Sequence, residues 1–351
     1  MIKVGVIGCG NIANSAHIPA YLKNSDVEIA YFCDIIPQRA EKAVKDYGCG
    51  KAVTDYQVIL DDPTVDAVSV CTPNKMHSII TIAALKAGKH VLCEKPAART
   101  YAEAEEMQKT AQETGKILNI GVVNRFNDAV NKIRTLIQSG ELGDVFHVYV
   151  SFRSQRSIPG LGGDFTNSAV SGGGVLIDWG VHFFDLILYI LGNAKLVNLT
   201  CDAYSEMAKD MKSYKYKSMW AEDTSDVENG TNDVEDLITG YIRTDKASIS
   251  FNGAWAQNIN QNEMFIDFLG DKCGARLTYG GKFEIYDGAT LETIQPEYDI
   301  PQMHAEEDKA FIESLYTGEK TRSHIDNVLE SAKLLDALYQ SSKIKKEISF
   351  E

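Results

Sequence analysis

A lysine, an aspartate and a histidine are the side chains through which this sequence could do chemistry. Lys95 sits in the tripeptide Glu94-Lys95-Pro96, directly after the apolar run His90-Val91-Leu92-Cys93. If that run is a strand of an open parallel sheet, its carboxyl end is where such folds bind ligands, and an ammonium is presented there. Pro96 disfavours helical geometry at Lys95 and removes a backbone donor. Far downstream, Ser171-Gly172-Gly173-Gly174 leads into Val175-Leu176-Ile177-Asp178-Trp179-Gly180-Val181-His182-Phe183-Phe184-Asp185. A helix starting at Val175 would place Asp178 and His182 at i and i+4 on one face. An imidazole oriented by a carboxylate can act as a general base, because the acid fixes the tautomer and stabilises the protonated ring. Two other readings of the stretch stand beside catalysis. Asp178, His182 and Asp185 offer donors to a metal ion, or they form a hydrogen-bonded set in an apolar helix that continues through Leu186-Ile187-Leu188.

The elements that must position these groups follow from the apolar pattern. From residue 3 to about 122, short apolar runs alternate with longer stretches of helical period, as in a doubly wound parallel sheet. Strands are expected at 3–7, 27–33, 51–53, 67–71, 90–93 and 117–122, and helices at 12–22, 37–46, 57–60, 75–87 and 101–114. Gly88 and Gly115 supply helix stops. Beyond Asn124 the texture changes. A helix at 127–139 precedes alternating strands at 145–153, 196–203, 237–243, 247–254, 264–269, 275–279 and 282–286, which suggest an antiparallel or mixed sheet with one solvent-facing side. Helices at 305–315 and 327–341 close the chain and could pack on either domain. The expected fold is therefore α/β, an N-terminal Rossmann domain over residues 1–123 followed by an α+β domain over 124–351. Residues 207–235, polar and without a 2 or 3.6 period, read as a long loop, a length that is often functional. Disorder or a subunit contact would explain that loop equally well.

The first strand runs into Gly8-Cys9-Gly10-Asn11-Ile12-Ala13, a GxGxxA fingerprint. Gly8 permits the tight turn, Gly10 lets a pyrophosphate approach the backbone at the helix start formed by Asn11 and Ile12, and Ala13 allows close packing of helix on strand. Asp34 lies 24 residues beyond Gly10, at the end of the next strand. There a carboxylate accepts both ribose hydroxyls and repels a 2′-phosphate, so NAD is preferred over NADP. Arg39 is near enough to stack on the adenine, and Asp34 has the alternative role of capping the helix that begins near Pro37. The turn Cys71-Thr72-Pro73-Asn74-Lys75-Met76-His77 lies at the same carboxyl-end face. Thr72, Pro73, Asn74, His77, Glu94 and Lys95 are expected to line the cofactor. Asn74 can equally cap its helix, and His77 reads as a helix-face residue rather than a catalyst.

Composition narrows the partners. The 351 residues carry 49 acidic and 35 basic side chains, a net charge of −14, which disfavours nucleic acid and anionic membrane. The N-terminus lacks the features of a signal peptide, and no apolar run reaches membrane-spanning length. Seven cysteines without a CxxC pair read as reduced packing residues of a cytoplasmic protein.

Taken together, the fingerprint at Gly8 to Ala13, the Thr72-Pro73-Asn74 turn, the Glu94-Lys95-Pro96 triplet and the glycine-rich approach to Asp178 and His182 make the chain resemble one family over nearly its whole length. That family is the glucose-fructose oxidoreductase, inositol dehydrogenase and rhizopine-catabolism family of NAD(P)-dependent oxidoreductases. The resemblance implies a C-terminal domain built on an open sheet, and a homodimer or homotetramer. It also implies a catalytic set of Lys95, Asp178 and His182, with no metal. Arg125, Arg153, Asp164 and Trp179 fall where substrate contacts arise, together with Asp178 and His182. Trp179 stands where many relatives carry a smaller residue, and it either stacks on a sugar ring or fills the core. The implied reaction is oxidation of a secondary hydroxyl of a sugar, glycoside or cyclitol, with His182 taking the proton and Lys95 holding the reacting oxygen. A redox-neutral glycoside-cleaving enzyme with tightly held NAD is the second reading, and a non-catalytic ligand sensor the third.

Overall fold

The computed structural model describes residues 1–192, 194–218, 220–221, 224–280, 282–299 and 302–350. The chain forms two compact units, Met1–Phe126 with Pro301–Ala332, and Asn127–Ile300 with Lys333–Glu351.

In the first unit six strands, β1 (Ile2–Ile7), β2 (Val27–Cys33), β3 (Lys51–Val53), β4 (Ala67–Val70), β5 (His90–Glu94) and β6 (Leu118–Gly121), form a parallel sheet in the order β3-β2-β1-β4-β5-β6. β4 and β6 are buried at every position, as expected of strands covered on both faces. The strand order reverses between β1 and β4, the switch point where the carboxyl ends of strands open a crevice. α1 (Ile18–Lys23), α2 (Pro37–Tyr47), α3 (Gln57–Asp61), α4 (Asn74–Lys86) and α5 (Tyr101–Thr114) connect the strands. α5 illustrates how the sequence bounds its helices: the Thr100 side chain accepts from the Glu103 amide, and Gly115 closes the helix in the left-handed region.

The second unit opens with α6 (Asp128–Gln138), β7 (Val145–Arg153), α7 (Ser168–Ser171) and α8 (Val181–Leu191). Eight more strands follow: β8 (Leu196–Tyr204), β9 (Leu237–Thr244), β10 (Ser248–Ala254), β11 (Glu263–Gly270), β12 (Cys273–Thr278), β13 (Phe283–Asp287), β14 (Thr293–Ile294) and β15 (Ile348–Ser349). They join β7 in one sheet, ordered β14-β13-β12-β11-β7-β10-β9-β8-β15, which is antiparallel apart from the β10–β7 pair. α8 is apolar nearly all round and lies in the core, where Phe183 stacks on Phe152 with centroids 4.6 Å apart and Phe184 meets Phe251 edge-on at 5.1 Å. α9 (Met303–Thr317) lies in the first unit, and α10 (Ile325–Ile344) starts there and ends in the second.

Two readings of the sequence need correcting, and a third is narrowed. The helix expected at 12–22 contains a π-helical turn at Ala13–His17, and the run expected to be helical from Val175 is π-helical at Leu176–Gly180 before α8 begins. Each widened turn spans only five residues, too few for a period of its own to show in the sequence; such turns are frequent at functional sites. The helical run Ser168–Leu191 does have the length and apolarity to cross a membrane, but 83% of that window is buried inside the protein, as befits a core helix. Finally, the 207–235 segment has a short 3₁₀ turn at Met211–Ser213 and is tied by its backbone to the 156–166 loop. Lys217 donates to the Arg156 carbonyl, Asp226 to Leu161, Thr231 to Gly162 and Asp233 to Thr166. Disorder does not describe these parts of the segment; Met219, Glu222 and Asp223 lie outside the described residues.

Candidate active site

In the first unit the glycine turn leaves β1 at the sheet's switch point. Gly8 has φ +94°, and a Cβ there would sit 2.4 Å from the Cys71 carbonyl oxygen, so any larger residue is excluded twice over. Gly10 faces open space within 4 Å, the room a pyrophosphate needs above the helix start at Asn11 and Ile12. Asn14 donates to the Cys9 and Gly10 carbonyls at 2.8 and 2.7 Å and locks the turn, a role nothing in the motif announces.

Asp34 is buried at the end of β2, where its two oxygens accept from the Cys9 and Ile36 amides, each at 2.9 Å. Ile36 caps α2 without side-chain help, so Asp34 is not that helix's cap. A carboxylate has about four acceptor positions, and two backbone bonds leave capacity for ribose hydroxyls. Arg39 is exposed on α2.

After β4, Pro73 is the N-cap of α4 and Asn74 its first residue, so the capping role considered for Asn74 is not the one adopted. His77 is buried in the first turns of α4, with Nδ1 2.7 Å from the Pro96 carbonyl oxygen and Nε2 2.8 Å from that of Thr72. Its ring nitrogens are thus spent on the protein backbone and not on a cofactor. Glu94 also turns inward. Its Oε1 lies 2.8 Å from His17 Nε2 and its Oε2 accepts from the Lys95 amide at 3.0 Å, while His17 Nδ1 lies 2.8 Å from Asp308 Oδ1 on α9. Burial opposes charge on every member of this set. Even so, the bonds and charge of His17 draw Glu94 down to about 2, and the facing carboxylates raise His17 well above its ordinary value. One imidazolium cannot neutralise two carboxylates fully, and burial pushes Asp308 up. His304 stands edge-on to His17, with ring centroids 5.9 Å apart. His17, Glu94 and His304 bring three donor atoms within 4.8 Å of one another, but the 2.8 Å contact between His17 and Glu94 already accounts for two of them as an ion pair. Lys95 itself is half-buried, directly after the carboxyl end of β5.

In the second unit the polar element is a buried carboxylate that the motif reading missed. Glu235 accepts from the Gly174 amide at 3.0 Å, from the Leu176 amide at 2.9 Å and from the Tyr339 hydroxyl at 2.9 Å. It caps, from 61 residues away, the helical run that carries Asp178 and His182. The glycines make this possible: a Cβ on Gly174 would lie 1.9 Å from the Glu235 carbonyl oxygen. Asp178 is buried and His182 half-buried. Trp179 is half-buried against the unit's core, so it fills space along one side at least.

The other residues expected to meet substrate lie in different elements. Arg125 is 2% exposed, and its guanidinium donates to the Arg322 and Asn327 carbonyls at 2.7 and 2.9 Å. That is a correction: within the first unit it ties the 322–327 turn to the turn after β6, and it is not displayed to a ligand. Arg153 forms a two-nitrogen pair with Glu263 at 2.9 and 2.7 Å across β7 and β11. Asp164 is exposed at the start of a 3₁₀ turn, Asp164–Thr166.

The glycine turn, the acid after β2 and the sheet order are features of a dinucleotide fold, and comparison with known proteins decides which one. The model of an oxidoreductase family with an NAD-binding Rossmann fold matches residues 2–122, and that of the GFO/IDH/MocA C-terminal domain matches residues 130–276. A D-glucoside 3-dehydrogenase of Escherichia coli (strain K12) is 30% identical over 344 residues, 97% of this chain and 95% of that protein. The chain belongs to the GFO/IDH/MocA oxidoreductase family. A scyllo-inositol 2-dehydrogenase (NADP(+)) of Bacillus subtilis (strain 168) is 30% identical over 208 residues, 59% of this chain and 57% of that protein. A levoglucosan dehydrogenase solved with NADH and levoglucosan shares the fold, with TM-score 0.84, 20% identity and coverage of 100% of this chain and 99% of that one. As a GFO/IDH/MocA protein the chain is an oxidoreductase whose first unit is an NAD-binding Rossmann domain.

Proposed function

We propose that this protein is an NAD-dependent dehydrogenase that oxidises a secondary hydroxyl of a sugar, glycoside or cyclitol to a ketone. The observation that carries the reading is the presence of Lys95, Asp178 and His182 in a chain related end to end to a D-glucoside 3-dehydrogenase. The space at Gly10 and the spare acceptor capacity of Asp34 fit NAD, and a carboxylate at that strand end favours it over NADP. NAD, when bound, accepts the hydride. The Lys95 ammonium holds the substrate oxygen and stabilises its developing charge. A ring nitrogen of His182 takes the hydroxyl proton, and Asp178 orients that ring. In this reading the first unit binds the cofactor and the second carries the substrate and the subunit contact. We place the enzyme in the cytoplasm as a homodimer or homotetramer acting on small polyols, without nucleic acid or membrane as a partner. The free thiols of all seven cysteines and the exposed Phe146 and Tyr149 on the sheet support this placement.

The test is a panel of cyclitols, aldoses and glycosides assayed for NADH together with keto product in equal amounts. His182→Ala should lower turnover on the order of 10²–10⁴-fold while NAD still binds. If NAD binding fell in parallel, His182 would not be the base. Product without NADH would point instead to a redox-neutral cleavage.

A further inference from the structure

His77 presents a protonation problem set by its two carbonyl partners. Both ring nitrogens lie at hydrogen-bond distance from carbonyl oxygens, Nδ1 on Pro96 and Nε2 on Thr72, and the side chain is 1% exposed. A carbonyl oxygen cannot donate, and a neutral imidazole carries a single N–H. A neutral ring would set a nitrogen lone pair against an oxygen lone pair at one of its two ends. A doubly protonated ring satisfies both. We propose that His77 is a positioning residue, charged across the neutral pH range, whose two N–H groups tie the turn after β4, residues 71–74, to the Glu94-Lys95-Pro96 turn after β5.

The charge is not there for the helix. His77 lies near the N-terminus of α4, where a cation opposes the helix dipole, and a buried charge is costly unless it is hydrogen-bonded. Burial by itself would strip the proton, but the Cys93 sulfur on β5, the titratable group that faces the ring, and the two carbonyls outweigh it and lift the pKa to about 9. What the charge supplies is a bridge between two neighbouring strand ends. β4 and β5 pair in register up to Val70 and Cys93, and beyond that point His77 spans the loops that leave them. The turn around Lys95 is then braced on both sides, at Glu94 by His17 and at Pro96 by His77. That this brace serves catalysis rests on the role proposed for Lys95; the charge on His77 does not.

The two claims separate experimentally. In the wild-type protein labelled with ¹³C and ¹⁵N at histidine, the His77 ring, assigned by the signal lost in His77→Gln, should show two protonated nitrogens from pH 6 to pH 8, with no cofactor or substrate present. If the variant does not fold, through-bond and through-space correlations to α4 make the assignment. A single-proton tautomer at pH 7, or a titration centred near 6.5, overturns the proposal. For positioning, His77→Gln, which keeps one amide donor and loses the charge, should lower kcat at least 10-fold and weaken NAD binding severalfold, with the sugar KM changed less than twofold. An unchanged kcat in a folded variant would reduce His77 to a packing residue.

Discussion

Two buried glutamates hold the two segments on which the proposed chemistry depends, and they do so in opposite ways. Glu94 faces a histidine ring and is drawn down to about 2 against the effect of burial. Glu235 faces two backbone amides and a tyrosine hydroxyl, all neutral donors; burial outweighs these bonds and raises it. Both side chains are less than a tenth exposed. Burial is therefore shared, and the partner decides whether the carboxylate is kept ionised or moved towards its neutral form. The first unit uses a charge pair to fix a turn, whereas the second uses dipoles to fix the start of a helix.

Removing the cation should break the contrast most severely. His17→Ala leaves Glu94 and Asp308 facing each other's charge without the ring between them, and stripping one partner from a buried ion pair costs about 3–5 kcal/mol. Urea unfolding at pH 7 reads this directly. A loss below about 1 kcal/mol would mean that the set behaves like an exposed pair. Glu235→Ala comes next, at about 3 kcal/mol, because the Gly174 and Leu176 amides and the Tyr339 hydroxyl lose their acceptor together. Glu235→Gln keeps an acceptor oxygen and should recover at least half of that loss. Equal losses for Ala and Gln would show that the ionised form was essential and that the contrast with Glu94 is unfounded.

How much of this was legible in the sequence follows the range of the interactions. Gly8, Gly10 and Asp34 act within a single βαβ unit, and their spacing announces them. Glu94 was legible as a member of a motif but not in its orientation, because what turns it inward is His17, 77 residues earlier, itself held by Asp308, 291 residues further on. Arg125 misled for the same reason: an arginine where the family's substrate contacts arise reads as a ligand contact until the carbonyls of Arg322 and Asn327 close on it. Glu235 lay at the end of a segment without periodicity, and Tyr339 on a helix whose unit the pattern left open. The π-helical turns at Ala13–His17 and Leu176–Gly180 hid because five residues are too few to set a period of their own.

The smallest effects sharpen the comparison best, because they carry a sign. Tyr339→Phe removes one of the three donors on Glu235 and should cost about 1 kcal/mol. Loss of a stabilising donor also pushes Glu235 further towards its neutral form. The pH dependence then separates the two carboxylates. Glu94 is depressed, so the unfolded chain takes up its proton first as pH falls. The advantage of wild type over Glu94→Gln should be constant above the ordinary glutamate value of 4.5, and should shrink as pH drops from there towards about 2. Glu235 is raised, so the folded chain holds the extra proton. The advantage of wild type over Glu235→Gln should be largest below 4.5 and should shrink as pH rises through the raised value. Unfolding free energies of the three proteins between pH 3 and pH 7 should therefore give difference curves of opposite slope. Curves of the same slope would mean that the amides of Gly174 and Leu176 hold a full negative charge as firmly as the histidine does.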